Sequence, residues 1–505
     1  MSENTSPYRE YLDKPDALVG FLVEKDSLIS EKDHEIAKLQ RMLHNLQKAQ
    51  FGRKSEKFSV LSDNQLLLLE SEEVAAPETP GSAPIVVPAH TRSARIKRDL
   101  SKLPHHTIEV NPESTTCRCC SKELSRIGED VSLELEHQPA RLFVNKYVRP
   151  RFACSSCKDG VLQAPLPESA KPLDRSIAGA GLLSHVLVSK YVDHLPLHRQ
   201  QQMFARLGFE IPRKNLCEWT GAVVDQYLEP LWVLLKKEAL AGDYLQGDET
   251  TLKIQDREVE GKCHLGYLWG MLSPEKGIVV FEYAASRAGE VAKDIFSDLK
   301  GALQTDAYAG YNPVYLPEKV ARLACLAHVR RKFIDAGKSC SKESDAVLRL
   351  IAELYHLEKN WQGLAPPERL VQRKKKSLPV LKKLEEYLHA LVTKTLPKAP
   401  LMEALKYTLN QWREIERIFE DGRFHLDNNM IEREMRPIAI GRKNYLFAGS
   451  HQGAKRAAII YSLFATARLH KVNPQLWILH LLQNMRNYPI NRLHELLPHR
   501  WGNKS

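Results

Sequence analysis

The chain has 505 residues, enough for about three domains, with 43% hydrophobic and 27% charged residues. That composition supports a sizeable core, excludes wholesale disorder and offers no run of about 18 apolar residues to span a membrane. The net charge is +11, and from Arg433 to Ser505 twelve Lys and Arg stand against two Glu, so the basic excess is concentrated at one end.

The first residues, MSENTSPYRE, have neither the basic patch nor the apolar core of a secretory signal, so a cytoplasmic protein is expected. Residues 17–50 read as one helix in which Leu22, Ile29, Ile36 and Leu43 recur every seventh position. Leu39 and Leu46 fill the second seam position late, and Lys25 and Lys32 occupy it early. The pattern predicts a short coiled coil and a homodimer, with a helix packed on its own domain as the alternative. Residues 71–100 read as a linker, four prolines in SEEVAAPETPGSAPIVVPAH followed by the basic stretch TRSARIKRDLSK.

Nine cysteines is an odd number, and five fall in two groups within 101–170. Cys117 and Cys120 form one C-x2-C pair, and Cys154 and Cys157 another, with 33 residues and β-like segments between. Four thiolates suit tetrahedral zinc, and clustered cysteines in a reducing compartment favour metal over disulfides. A zinc-ribbon-like domain with one structural Zn2+ is expected, although neither pair carries the Gly common in zinc knuckles. Cys119 reads as a bystander, and Cys217, Cys263, Cys325 and Cys340 as buried small hydrophobes.

Residues 171–240 read as helices. A turn at Leu207-Gly208 and a second helix opening near Pro212 resemble a helix-turn-helix, with Arg213 and Lys214 placed for DNA; an ordinary helical hairpin reads the same way. The catalytic candidate is 241–465. YLQGDETTLKI, CHLGYLWGML and GIVVFEYAAS read as strands, GEVAKDIFSDLK as a helix and ALQTDAYAGY as a further strand, with a helical insertion at about 337–424. The segment 466–505 is basic, which suits a polyanion because neutralised phosphates release counterions. Apolar residues interleave in LWILHLLQNM, against a merely solvated tail.

Three strands, a helix and a fourth strand are the order of an RNase H-like α/β fold. In such a fold Asp248 of GDET, Asp306 of TDAYAGY and Glu432 of DNNMIER can converge, although each alone is an ordinary strand-end or helix-cap carboxylate. Hard Mg2+ ions take oxygen ligands, and a pair about 3.5–4 Å apart can serve both sides of a phosphodiester. His328 is positioned either to steer phosphate or to orient Asp306, with Arg330, Arg331 and Lys332 beside it. Arg433, Arg436, Arg442 and Lys443 flank Glu432 and read as DNA-backbone contacts. Asp427 is the expected N-cap of the helix carrying Glu432, and Pro437 is expected to limit its length.

At these words the sequence resembles the insertion sequence sixty-six family of bacterial DDE transposases. The resemblance runs through FGRKSEKF, the cysteine segment, SKYVDHLPLHRQQ, GDET, TDAYAGYN, CLAHVRRKF and DNNMIEREMRPIAIGRKNYLFAGS to INRLHELLPHRW. Gly247 stands where many members carry Ala. The resemblance implies Asp248, Asp306 and Glu432 as the catalytic triad, and it chooses Glu432 over Glu434, which spacing alone leaves open. It implies two Mg2+ (or Mn2+) per site. It further implies cleavage at terminal inverted repeats of double-stranded DNA, strand transfer to target DNA at the bacterial nucleoid, and companion proteins of the same element. A zinc-dependent regulator that binds DNA without cutting it is the alternative, and needs no acidic trio.

Overall fold

The structure, a computed structural model, describes residues 176–501 except 256–261, 317 and 339, together with 142–148, 151–153, 161–163, 166–167 and 170–174. The expected coiled coil, the linker and Cys117, Cys120, Cys154 and Cys157 lie outside the described residues. The architecture is mixed α+β.

A small antiparallel pair, β1 (Arg151–Ala153) and β2 (Val161–Gln163), precedes a run of helices. These are α1 (Ala180–Tyr191), α2 (Leu197–Arg206), α3 (Arg213–Val223) and, after one π-helical turn at Val224–Leu228, α4 (Glu229–Leu240). The break between α2 and α3 follows from Gly208, whose φ of +90° suits a residue without Cβ, and from Pro212, which precedes α3. Arg213 and Lys214 stand exposed in the first turn of α3.

The sheet has the order β5-β4-β3-β6-β7. Strands β3 (Tyr244–Gln255), β4 (Cys263–Ser273) and β5 (Ile278–Ala284) are antiparallel neighbours, and β6 (Gly301–Gln304) and β7 (Val320–Leu323) add in parallel. Helix α5 (Gly289–Ile295) connects β5 to β6. The strand expected over ALQTDAYAGY stops at Gln304, and Ala309–Val314 is a 3-10 turn. The cause is Asp306, whose Oδ1 accepts from the Tyr308 N–H at 3.0 Å and so competes with a ladder.

After β7 come six helices, α6 (Leu326–Gly337), α7 (Ser341–Lys359), α8 (Pro366–Gln372), α9 (Leu378–Val392), α10 (Pro400–Leu409) and α11 (Trp412–Ile418), all but α8 sharing a second core. The chain then returns to the sheet as α12 (Asn429–Tyr445) and α13 (His451–Leu469). Asn428, not Asp427, is the N-cap of α12; Asp427 Oδ1 accepts instead from the Asn429 N–H at 3.1 Å. Pro437 lies inside α12 without ending it. It forfeits one helical bond, but Ile431, Met435 and Ile438 are buried and hold the helix to β3 and β4.

Helix α13 is capped by Ser450, whose hydroxyl accepts from the Gly453 N–H at 3.0 Å. It covers the edge strand β5: Phe281 N–H donates to Ser462 Oγ at 2.7 Å and Val279 N–H to Thr466 Oγ1 at 3.1 Å. An edge that would otherwise template pairing is closed by two hydroxyls. The basic C-terminal segment folds back as α14 (Pro474–Asn484) and α15 (Pro498–Trp501). Trp477 is buried, with its indole N–H on the Leu496 carbonyl at 2.9 Å. Of the scattered cysteines only Cys325 is fully buried; Cys217 and Cys263 are exposed, on the outer side of α3 and at the start of β4. Among the described residues no helix is long and apolar enough to cross a membrane.

Candidate active site

Strand alternation sorts the two carboxylates of GDET. Asp248 is the register partner of Gly270, and a side chain on Gly270 would come within 2.7 Å of Met435 and 3.1 Å of Ile431 on α12. Cross-strand partners share a face, so Asp248 faces α12. Gly247, one residue earlier, faces Leu303, Thr305 and Phe296 on the other side, and Glu249 shares that side.

Asp306 arrives just beyond the neighbouring strand β6. Gln246 on β3 pairs in parallel register with Gln304 on β6. Each aspartate follows its glutamine by two residues, Asp248 within β3 and Asp306 in the turn just after β6, and Asp306 comes close enough for its charge to act on Asp248. The glutamines are fully buried and bonded: Gln246 Nε2 donates to Gln304 Oε1 at 3.1 Å and to the Asp427 carbonyl at 2.8 Å. Gln304 Nε2 donates to the carbonyls of Ala324 and His425, both at 2.8 Å. Tyr244 OH completes the group on Gln304 Oε1 at 2.5 Å. Asn428 Nδ2 adds a bond to the Gly247 carbonyl at 3.3 Å. This polar floor fixes the start of α12 against the two strand ends. The words LQGD and LQTD carry it in the sequence, a repeat the motif analysis passed over.

Glu432 lies in the first turn of α12, with His328 Nε2 of α6 3.8 Å from its Oε1. That oxygen is buried and accepts no hydrogen bond. His328 thus faces Glu432, and no hydrogen bond joins it to Asp306. Glu434, two residues on, is buried and ion-paired with Arg468 of α13. Successive helix residues turn by about 100°, which separates the two glutamates by roughly 200°.

Electrostatics tie the three acids together. Burial pushes the Asp248 carboxyl well above its usual range, and the charges of Glu249, Glu432 and Asp306 push it further; the Glu249 N–H on Asp248 Oδ1 at 2.9 Å opposes this. Like charges facing one another raise a carboxyl's proton affinity. Among the described residues no three His, Cys, Asp or Glu side chains are gathered tightly enough to hold a metal ion as they stand. The donor set nonetheless fits a hard divalent cation: all oxygen, negative in excess, with the Glu432 Oε1 lone pairs unused.

The basic candidates differ in availability. Arg436 and Lys443 are exposed, as is Arg331, while Arg330 and Arg433 are half-buried. Arg433 Nε donates to the Asn429 carbonyl at 3.3 Å. Arg442 is turned inward: its Nη1 donates to Thr251 Oγ1 at 2.8 Å and to the Thr251 carbonyl, so it ties α12 to β3. Lys332 pairs with Glu403 at 2.8 Å. Sequence reasoning missed Tyr355 of α7, whose OH donates to Asp427 Oδ2 at 2.7 Å and links the helical insertion to the site.

Four family profiles match the chain. "Transposase IS66 family" matches residues 175–456, and "zinc-finger binding domain of transposase IS66" matches 114–158, a span that includes all four paired cysteines. "IS66 C-terminal element" matches 462–499, and "Transposase C of IS166 homeodomain" matches 35–108. The chain is similar to the uncharacterized protein y4jD of Sinorhizobium fredii, at 34% identity over 491 residues covering 92% of this chain and 94% of the relative. The uncharacterized protein y4hP of the same organism is 31% identical over 503 residues, 93% of this chain and 90% of that protein.

Proposed function

Because this chain belongs to the IS66 family of transposases, we propose that it cuts the ends of an insertion sequence to free a 3′-OH and joins that hydroxyl to target DNA, using Asp248, Asp306 and Glu432. The family supports the transposase role, DNA binding and DNA cutting; the DDE chemistry and its residues are our reading. What supports it is that the Asp248 carboxyl, raised first by burial and the charge of Glu249, is raised further by the charges of Glu432 on a distant helix and Asp306 in the turn after β6. The strand order β5-β4-β3-β6-β7, antiparallel and then parallel, supports an RNase H-like core.

Mg2+, with Mn2+ as an alternative, would be held by these three residues; when bound, a pair of such ions supplies Lewis acidity on both sides of the scissile phosphodiester. The chain's own groups do the rest. Asp248 and Asp306 hold one face of the cation site from a rigid floor, and Glu432 closes it from α12. His328 stands against Glu432 and orients it. Arg436, Lys443, Arg331, Arg330 and Arg433 lie on the helices around the site and take the DNA backbone, whereas Arg442 acts as a tether. Arg213 and Lys214 open the second helix of a helix-turn-helix-like hairpin that reads element-end DNA.

Around this core we place a dimerising helix at 17–50, a linker at 71–100 and a zinc-binding domain at 101–170. A helical DNA-binding domain follows at 171–240, then the catalytic domain at 241–465 and a basic segment at 466–505. Cys117, Cys120, Cys154 and Cys157 hold one structural Zn2+, which elemental analysis of purified protein checks as about one zinc per chain, lost on Cys154→Ser. A non-cutting regulator is disfavoured by the carboxylate convergence, which such a protein does not need.

The experiment is Mg2+-dependent cleavage of duplexes carrying the element's own ends. Asp248→Asn, Asp306→Asn and Glu432→Gln should each abolish cleavage while the protein still binds DNA. Cleavage that survives any of them removes that residue from the triad.

A further inference from the structure

Glu249 has no part in the chemistry above, yet both its oxygens are bonded. Its side chain is 3% exposed. Oε1 accepts from Arg287 Nε at 2.8 Å and also from Nη2, and Oε2 accepts from Tyr311 OH at 2.6 Å. The Arg287 guanidinium stacks 3.6 Å from the centroid of the Tyr308 ring, and Tyr308 OH donates back to the Arg287 carbonyl at 2.8 Å. Tyr308 and Tyr311 both belong to the turn that begins at Asp306, and Asp306 Oδ1 accepts the Tyr308 N–H. Tyr311 is fully buried, edge-on to Trp269 with centroids 5.4 Å apart. At Gly310 a Cβ would come within 2.2 Å of the Tyr308 ring, so the turn is tight enough to fix both tyrosines.

These contacts form a closed circuit, Glu249 to Arg287 to Tyr308 to Tyr311 and back. Strand β6 ends at Gln304, so no ladder bond holds Asp306 beside β3. The circuit makes that connection: its one end is the residue next to Asp248, and its other is the turn carrying Asp306.

We infer that Glu249 is a positioning residue that clamps the Asp306 turn to β3 and so sets the spacing of Asp248 and Asp306 on which divalent-cation binding depends. The inference rests on the reading of those aspartates as cation-holding. Glu249 is not itself a ligand, because it faces the other side of the sheet and both its oxygens are occupied. The YAGY part of TDAYAGY thereby gains a role, as the far jaw of the clamp.

The test is calorimetric titration of Mn2+ into the full-length protein and its Glu249→Gln, Tyr311→Phe and Asp248→Asn variants, with thermal melting and DNA binding measured alongside. Partners that orient metal ligands typically contribute 10–100-fold to metal affinity, so Glu249→Gln and Tyr311→Phe should weaken Mn2+ binding by about tenfold or more. Their DNA affinity should stay that of the wild type. Saturating Mn2+ should restore cleavage in these two variants but not in Asp248→Asn, because misplaced ligands bind weakly whereas an absent one cannot be titrated back. Tyr311→Phe removes only a hydroxyl, and keeps the test open should Glu249→Gln fold poorly. Mn2+ affinity within about twofold of wild type in a folded clamp variant, or cleavage that saturating Mn2+ does not recover, overturns the inference, given the 10–100-fold expected. Failure of the underlying reading looks different: wild type and Asp248→Asn would bind Mn2+ alike, and the clamp falls with its premise.

Discussion

Two charged side chains drawn in from solvent, Arg373 fully and Asp248 in part, meet opposite treatment. At the junction of the helical insertion, in a π-helical turn at Arg373–Ser377, Arg373 is fully buried and completely answered. Glu358 takes its Nη2 at 2.6 Å and Nε at 3.0 Å, and the carbonyls of Ile418, Phe424 and Asp421 take the remaining N–H groups. At the carboxylate end of the sheet Asp248 has one N–H bond and three like charges as neighbours. A buried charge that serves the fold is compensated within the fold, because an uncompensated one is costly. One left among its own kind is a candidate for a functional site.

The largest effect should come from turning that contrast on a single helix. Glu432→Gln should lose cleavage by on the order of a thousandfold or more, since cation stabilisation of a phosphoryl transition state is worth several kcal/mol. Glu434→Gln should retain most activity and lose about 1 kcal/mol of stability, because its partner Arg468 is itself half exposed and well screened. Cleavage assays and urea melts of the pair decide this, and the reverse pattern would move the third carboxylate to Glu434.

At the compensated junction the effect should be on folding. Arg373→Met leaves Glu358 with only Arg369, 3.8 Å from its Oε1, takes a donor from three carbonyls, and should cost about 3–5 kcal/mol in chemical denaturation. Adding Glu358→Leu should recover a large part of it, since a buried pair replaced by apolar residues is often near neutral. If the double variant is as unstable as the single one, the pair does more than compensate itself.

A smaller effect should follow pH. Burial, and then the positive charges of Arg369, Arg373 and Arg433, bring His425 from 6.5 down to about 4. Between pH 6.5 and 4 the unfolded chain takes up a proton there that the folded chain refuses. The histidine's contribution to stability is therefore complete above pH 6.5 and falls away as the pH drops toward 4. Melting temperatures of wild type and His425→Gln across this window should converge at the acid end. Parallel curves would mean that the ring is already solvated.

Much of the site was legible in the residues. Strand order and words such as GDET and DNNMIER point to Asp248, Asp306 and Glu432 as the candidates; helix periodicity sets Glu432 and Glu434 on different sides, and the family resemblance chooses between them. Local competition is where the chain departs from its sequence pattern. The strand drawn through ALQTDAYAGY ends early because Asp306 bonds the Tyr308 N–H. The cap of α12 shifts by one residue, and Pro437 is carried by a helix whose buried face outweighs one lost bond.

Periodicity and spacing are local properties, and they determined by themselves the order of the elements, the opposite faces of Asp248 and Glu249, and the matched LQGD and LQTD words. Partnership is not local. That Glu434 belongs to Arg468, Asp427 to Tyr355 of the insertion, and Glu249 to Arg287 and Tyr311 was decided only when segments 34 to 72 residues apart packed together. A carboxylate's spacing says which way it points along its own element, but its charge state and its task depend on which groups the tertiary fold sets before it.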